Sequence, residues 1–247
     1  MLFSVCRADK RRGGLYQKTA FMNGARLNSE AGYSVVELLV VVGISAIMTT
    51  VSLYYLYGHQ KLYMPDEQAS HFIDMLQEAR QRALTQKVTM RVELDLTDNI
   101  ARLINENDST ISTDDKVVRS FPLKPTQEVK IENRPSNVTV SPTESSPVPA
   151  VTFVNNSTHP LSLNHKVATL RFRKDGTVTD GGTTALAAGA VVTGATVFVW
   201  QPNKTNANNS VITRSITVIG GSGAIRLWNH YPTQPANSQW KDSRRFQ

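Results

Sequence analysis

An apolar run from Val35 to Tyr57, broken by a single carboxylate at Glu37, constrains this chain more than any other feature. At 1.5 Å of rise per residue those positions span roughly 35 Å as a helix, enough to cross a hydrocarbon core. A carboxylate inside such a segment costs on the order of 3 kcal/mol on insertion scales. Glu37 is therefore either a functional group or one held at the headgroup level. Ahead of the run, residues 1–32 carry Arg7, Lys10, Arg11, Arg12, Lys18 and Arg26 against Asp9 and Glu30. That excess predicts a cytoplasmic N-terminus, with the rest of the chain outside the inner membrane. A secretory signal would be cut after its apolar region at an A-x-A-like site, whereas Gly-His-Gln-Lys follows Tyr57. The expected order is leader, anchor, exported domain.

Charge narrows the function classes. The 247 residues carry a formal net charge of +7, and the first 32 supply four of those charges. The remainder, at +3, gives little reason to expect a polyanionic partner. The only cysteine, Cys6, lies in the first 32 residues, so the exported part can form no disulfide of its own and must be held by packing and hydrogen bonds.

Beyond the anchor the pattern becomes amphipathic. Phe72, Leu76, Ala79 and Ala83 recur at spacings of four, three and four, with Ile73, Met75 and Leu84 beside them and Asp74, Glu78, Arg80, Arg82 and Lys87 on much of the opposite side. That predicts a helix with one buried stripe. Pro65 either starts this helix or kinks one that continues from the membrane. Next, Val88, Met90, Val92 and Leu94 alternate with Thr89, Arg91 and Glu93, which predicts a half-buried strand. Further strands are expected over 100–104, 116–121, 129–132, 138–140, 151–154, 168–173, 191–200, 211–219 and 224–228, with a Pro/Ser/Thr-rich loop over 133–149. Asp175-Gly176 and Gly220-Gly221-Ser222-Gly223 are expected as turns.

Signals for catalysis are missing. His59, His71, His159, His165 and His230 show no H-x-x-x-H or other metal-ligand spacing, and no G-x-S-x-G elbow, Walker-type loop or Rossmann fingerprint occurs. Neither enzyme activity, nor a cofactor, nor a metal is expected.

The stretch Gly32-Tyr33-Ser34-Val35-Val36-Glu37, running straight into the apolar segment, resembles the processing site of type IV prepilins and pseudopilins. In that family a membrane-embedded prepilin peptidase cuts after the glycine and methylates the new N-terminal amine. The resemblance implies cleavage between Gly32 and Tyr33, methylation of Tyr33, and Glu37 as the fifth mature residue. Tyrosine stands where phenylalanine is more usual, and Met22 is an alternative start. The segment from Ala69 to Leu94 resembles the GspH/FimT group, where such a helix leads directly into the first strand. LRFRKDGTV, TVFVWQ and RSITVIGGSGAIRLW resemble its C-terminal half.

The group's architecture is α+β and pilin-like: a long N-terminal helix packed on a C-terminal antiparallel β head. Carried onto this chain, it gives a leader over 1–32, a transmembrane and filament-core helix over 33–60, an amphipathic helix over 61–87, a β domain over 88–229 and a flexible tail over 230–247. The implied role is a minor pilin or pseudopilin of a type IV pilus or type II secretion machine. Its expected partners are other pilins, the prepilin peptidase and the inner membrane. Glu37 would then pair with the N-terminal amine of a neighbouring subunit, fixing register in a low-dielectric core. The alternative is a minor pilin that binds DNA for uptake. Some relatives have a late G-R-x-R strand, where this chain reads Gly223-Ala224-Ile225-Arg226, so Arg226 remains as a candidate contact. Lys241, Arg244 and Arg245 could add charge, and Trp228 or Trp240 a stacking surface.

Overall fold

The computed structural model describes residues 33–106, 114–142, 148–156, 159–184 and 187–243. Their first element is one continuous helix, α1 (Val35–Gln86). Pro65 lies within it and is buried. The missing N–H deprives only one carbonyl a turn earlier of its partner, and burial of the ring against the head offsets part of that cost. The helix ends where Lys87 adopts φ 58°, the left-handed conformation that commonly closes a helix.

By contacts the chain divides between Thr50 and Val51. In the N-terminal unit, every described residue is exposed. Among its described residues, the second unit holds the rest of α1 and eleven strands, from β1 (Thr89–Asp95) to β11 (Trp240–Asp242). One sheet contains β2 (Ile100–Glu106) and β3 (Lys116–Pro122) on one side of β1. On its other side stand β6 (Lys166–Phe172) and β5 (Val154–Asn155), with β7 (Val178–Thr179) pairing on β6. The second sheet runs β11, β10 (Ala224–His230), β9 (Ser210–Ile219), β8 (Ala195–Pro202) and β4 (Lys130–Glu132). All strand pairings in both sheets are antiparallel. The α+β, pilin-like layout is as the sequence predicts.

The stripe Ala69, Phe72, Met75, Leu76, Ala79 and Ala83 is fully buried. It meets Met90, Val92 and Leu94 of β1, Leu170 and Phe172 of β6, and Val197, Val199, Ile216 and Val218 of the second sheet in one core. Each of the larger side chains contributes about 1.5–3 kcal/mol by leaving water. Polar ties fix the helix on the same faces. Asp66 accepts two hydrogen bonds from the Arg214 guanidinium of β9, and Arg80 Nη2 donates to Ser222 O at 3.1 Å. Ser222 belongs to the tight turn between β9 and β10, closed by Gly223 N–H to Ile219 O at 2.7 Å. Gly223 has φ +61°, and a Cβ there would lie 2.8 Å from Gly176 O, so both conformation and space require glycine.

Three expectations need correction. Strand β1 is not half-buried. Arg91, Glu93 and Asp95, on the face away from the core, are as fully buried as Met90 and Val92. Alternation shows which residues share a face, and here loops cover the second face. The segment 138–140 forms no strand; Val138 instead packs with Phe198, Trp200, Trp228 and Trp240 in a second cluster. The segment 230–247, expected as a flexible tail, in fact continues β10 through His230 and returns as β11, with Trp240 only 8% exposed. Residues 244–247 of that segment lie outside the described residues.

Candidate functional site

Of the residues implicated in processing, Gly32 lies outside the described residues. Tyr33 is exposed and stands two positions before the helix. Ser34 caps the helix. Its Oγ accepts from the Val36 N–H at 3.3 Å, and its carbonyl accepts from the Leu38 N–H at 3.1 Å. Glu37 therefore occupies the third helical position of a Ser-x-x-Glu pattern, in the first turn, where the positive end of the helix dipole favours an acid. This capping signature is legible as Ser34-Val35-Val36-Glu37 and places Glu37 favourably at the helix start, apart from the pairing with a neighbouring subunit that the resemblance implies. From Val35 through Tyr57 every side chain is exposed. Among the described residues, α1 is the one helix long and apolar enough to cross a membrane.

Arg226 is exposed on β10, opposite Thr217 of β9. Its surroundings differ from a nucleic-acid groove. Trp228 and Trp240, expected as a stacking surface, are 9% and 8% exposed inside the second cluster. The Trp240 indole N–H donates to Thr139 O at 3.0 Å. Asp242 stands opposite Trp228, diagonal to Arg226. Lys241 lies over the Tyr231 ring at 5.3 Å. Arg244 and Arg245 are outside the described residues.

The outer face of the first sheet carries a charged network that pattern reading assigned to solvent. Glu106 Oε1 accepts from Arg91 Nη1 at 2.6 Å and from Arg171 Nε at 2.8 Å. Arg91 Nη2 pairs with Asp115 at 2.8 Å. Arg171 Nη1 donates to Gly181 O at 2.7 Å, which pins the loop after β7 onto the sheet. Burial raises the Asp115 carboxyl and lowers the Arg171 guanidinium from their ordinary values. Burial, with Arg91 and Arg171 adding repulsion, pushes His159 down to about 3, so its ring is neutral. Arg171 Nη2 sits 3.4 Å from His159 Nε2. A guanidinium only donates, so the imidazole proton belongs on Nδ1. A cavity of about 550 Å³ opens beside this ring, lined also by Val151, Val154, Leu170, Asp180 and Thr193.

At the far end of the same face Asp95, Asp98 and His165 converge, their ligand atoms within 4.8 Å of one another. Arg102 already holds both carboxylates, at 2.7 Å from Asp95 and 2.8 Å from Asp98. His165 Nδ1 completes the clasp at 2.7 Å from Asp95. Burial pushes Asp95 up, but bonds from His165, the Asp98 backbone, Arg102 and Thr97 outweigh it and leave it below the usual range. The same Asp95 bond raises His165. A raised histidine stabilises the fold below its unfolded value, near 6.5, and loses that contribution as pH climbs through the folded value. The lowered Asp95 acts oppositely, contributing above about pH 4 and failing in acid. Unfolding midpoints at pH 5.5 and pH 8 should therefore favour pH 5.5 by more in the native chain than in His165→Gln. An equal difference in both would remove the clasp from the account.

No family model, curated protein or solved structure matches this chain, so the functional reading rests on its own residues and geometry.

Proposed function

We propose that this chain is a minor pilin or pseudopilin. A prepilin peptidase processes it between Gly32 and Tyr33, the apolar part of α1 anchors it in the inner membrane, and it joins a type IV pilus or type II secretion pseudopilus as a structural or assembly subunit. The observation that carries the reading is the division of labour along one helix. Residues 35–57 are apolar and exposed, with a single acid in the first turn, while the stripe from Ala69 to Ala83 is sealed into a β head. An apolar surface of that length needs a non-aqueous partner, first lipid and then the equivalent helices of neighbouring subunits. Exchanging lipid for other apolar helices gains little hydrophobic energy. Specificity then falls to Glu37 and the N-terminal amine of the next subunit, whose attraction is strong where water is excluded.

The cap at Ser34 makes this testable without confusing the two roles of Glu37. Glutamine fills the third position of a capping box as glutamate does but carries no charge. Glu37→Gln should be cleaved and membrane-inserted normally, while its co-purification with partner pilins should fall on the order of tenfold or more, the equivalent of losing at least about 1.4 kcal/mol of coupling. Recovery at the native yield would assign Glu37 to helix capping alone.

A further inference from the structure

We propose that Tyr54, Tyr55, Tyr57 and Tyr63 form an aromatic collar that seats in the headgroup–acyl boundary of a phospholipid bilayer on the exported side and sets how deep α1 sits. The inference rests on the membrane-anchored reading above and adds a lipid-binding role for four residues other than the cleavage site and Glu37. The four rings are 86%, 67%, 72% and 66% exposed, among the most exposed large side chains of the protein. At 100° per residue, Tyr54, Tyr55, Tyr57 and Tyr63 point to about 0°, 100°, 300° and 180° around the axis. They encircle the helix.

A single protein partner would meet one side, as the head does further along the same helix, where the buried residues from Ala69 to Ala83 form a single stripe. A ring of partners in every direction matches a surface that is uniform around the helix, and a bilayer interface is such a surface. Tyrosine suits that boundary because its ring is apolar while its hydroxyl needs water or a headgroup. The flanks agree. Val51 and Leu53 precede the collar and are exposed apolar groups. Gln60 and the cationic Lys61 lie between Tyr57 and Tyr63, Lys61 placed where anionic headgroups would meet it. His59 packs against Tyr55 in a tilted contact, 4.2 Å between ring centroids. Burial in the head begins only with Met64 and Pro65.

The test places single cysteines in the full chain carrying Cys6→Ser, since no other native cysteine competes. The chain is reconstituted in vesicles of phosphatidylethanolamine and phosphatidylglycerol and exposed to a membrane-impermeant maleimide from the head side. Val51→Cys and Leu53→Cys should react at least tenfold more slowly than Glu67→Cys and Ser70→Cys, exposed positions beyond Tyr63. Changing Tyr54, Tyr55 and Tyr57 together to serine should shift the boundary inward, so that Leu53→Cys gains reactivity severalfold. Changing the same three to leucine should shift it outward, so that Gln60→Cys loses reactivity. A boundary that stays put in both triple variants would overturn the collar while leaving the anchor intact. Shielding that appears only when partner pilins are added would overturn it in favour of a protein contact. Equal reactivity at all four positions, with release of the chain by alkaline carbonate, would overturn the anchor itself.

Discussion

Arg171→Ala should cost the head about 3–5 kcal/mol, the loss expected when one member of a buried charge cluster is removed and its partners remain. In a chain of this size that lowers the unfolding temperature by roughly 10 °C. The arginine is 1% exposed and its acceptors include Glu106 Oε1, Gly181 O and His159 Nε2. Among the described residues, alanine leaves Glu106 to Arg91 alone and frees the loop at Gly181. Thermal unfolding of the full chain in detergent reads the effect. A drop below about 1 kcal/mol would mean that water enters the gap and solvates the remaining groups. Changing Arg171 to Met together with Glu106 to Gln should recover much of the loss, because replacing a buried pair by uncharged groups of similar size costs far less than orphaning one charge.

Trp240→Ala is the second large effect, also on the order of 3–5 kcal/mol for truncating a buried tryptophan. Here the damage should be local. Trp240 packs on Phe198 at 6.2 Å and His230 at 4.9 Å between ring centroids, and its indole holds Thr139 of the loop after β4. Thr139 Oγ1 also donates to Gln239 Oε1 at 2.8 Å, so loop and C-terminal segment seal each other. Hydrogen exchange should accelerate over 138–141 and 231–242 while β1 and β2 keep their protection. Faster exchange in β1 as well would mean that the two clusters unfold as one unit.

The features legible in the sequence were those that depend on local period. The exposed apolar run of α1 and the Phe72 stripe both follow from spacing along one element. The turns at Asp175-Gly176 and Gly220–Gly223 follow from glycine, with Gly176 at φ +87° and Gly223 at φ +61°. What escaped depends on which distant segment covers a face. Arg91 and Glu93 alternate with apolar neighbours as surface residues do, and nothing near them reveals the loops that bury them. Trp240 reads among prolines and polar residues as a stacking surface on a flexible tail, although three residues are enough to make β11 and close the second cluster. Pro65 left two outcomes open, and burial of its ring accompanies the continuous one. Ser34 was different. Its capping pattern lay in plain view, inside the stretch that drew attention for its resemblance to a cleavage site.

As a minor pilin or pseudopilin, the chain should work as a subunit whose first residue is Tyr33. The direct measurement is the intact mass of the chain recovered from membranes of cells with and without an active prepilin peptidase. With the peptidase, the account predicts a chain that begins at Tyr33 and carries one methyl group on its amine, and Gly32→Val should remain full length. Full-length native chain in the presence of the active enzyme would contradict the account.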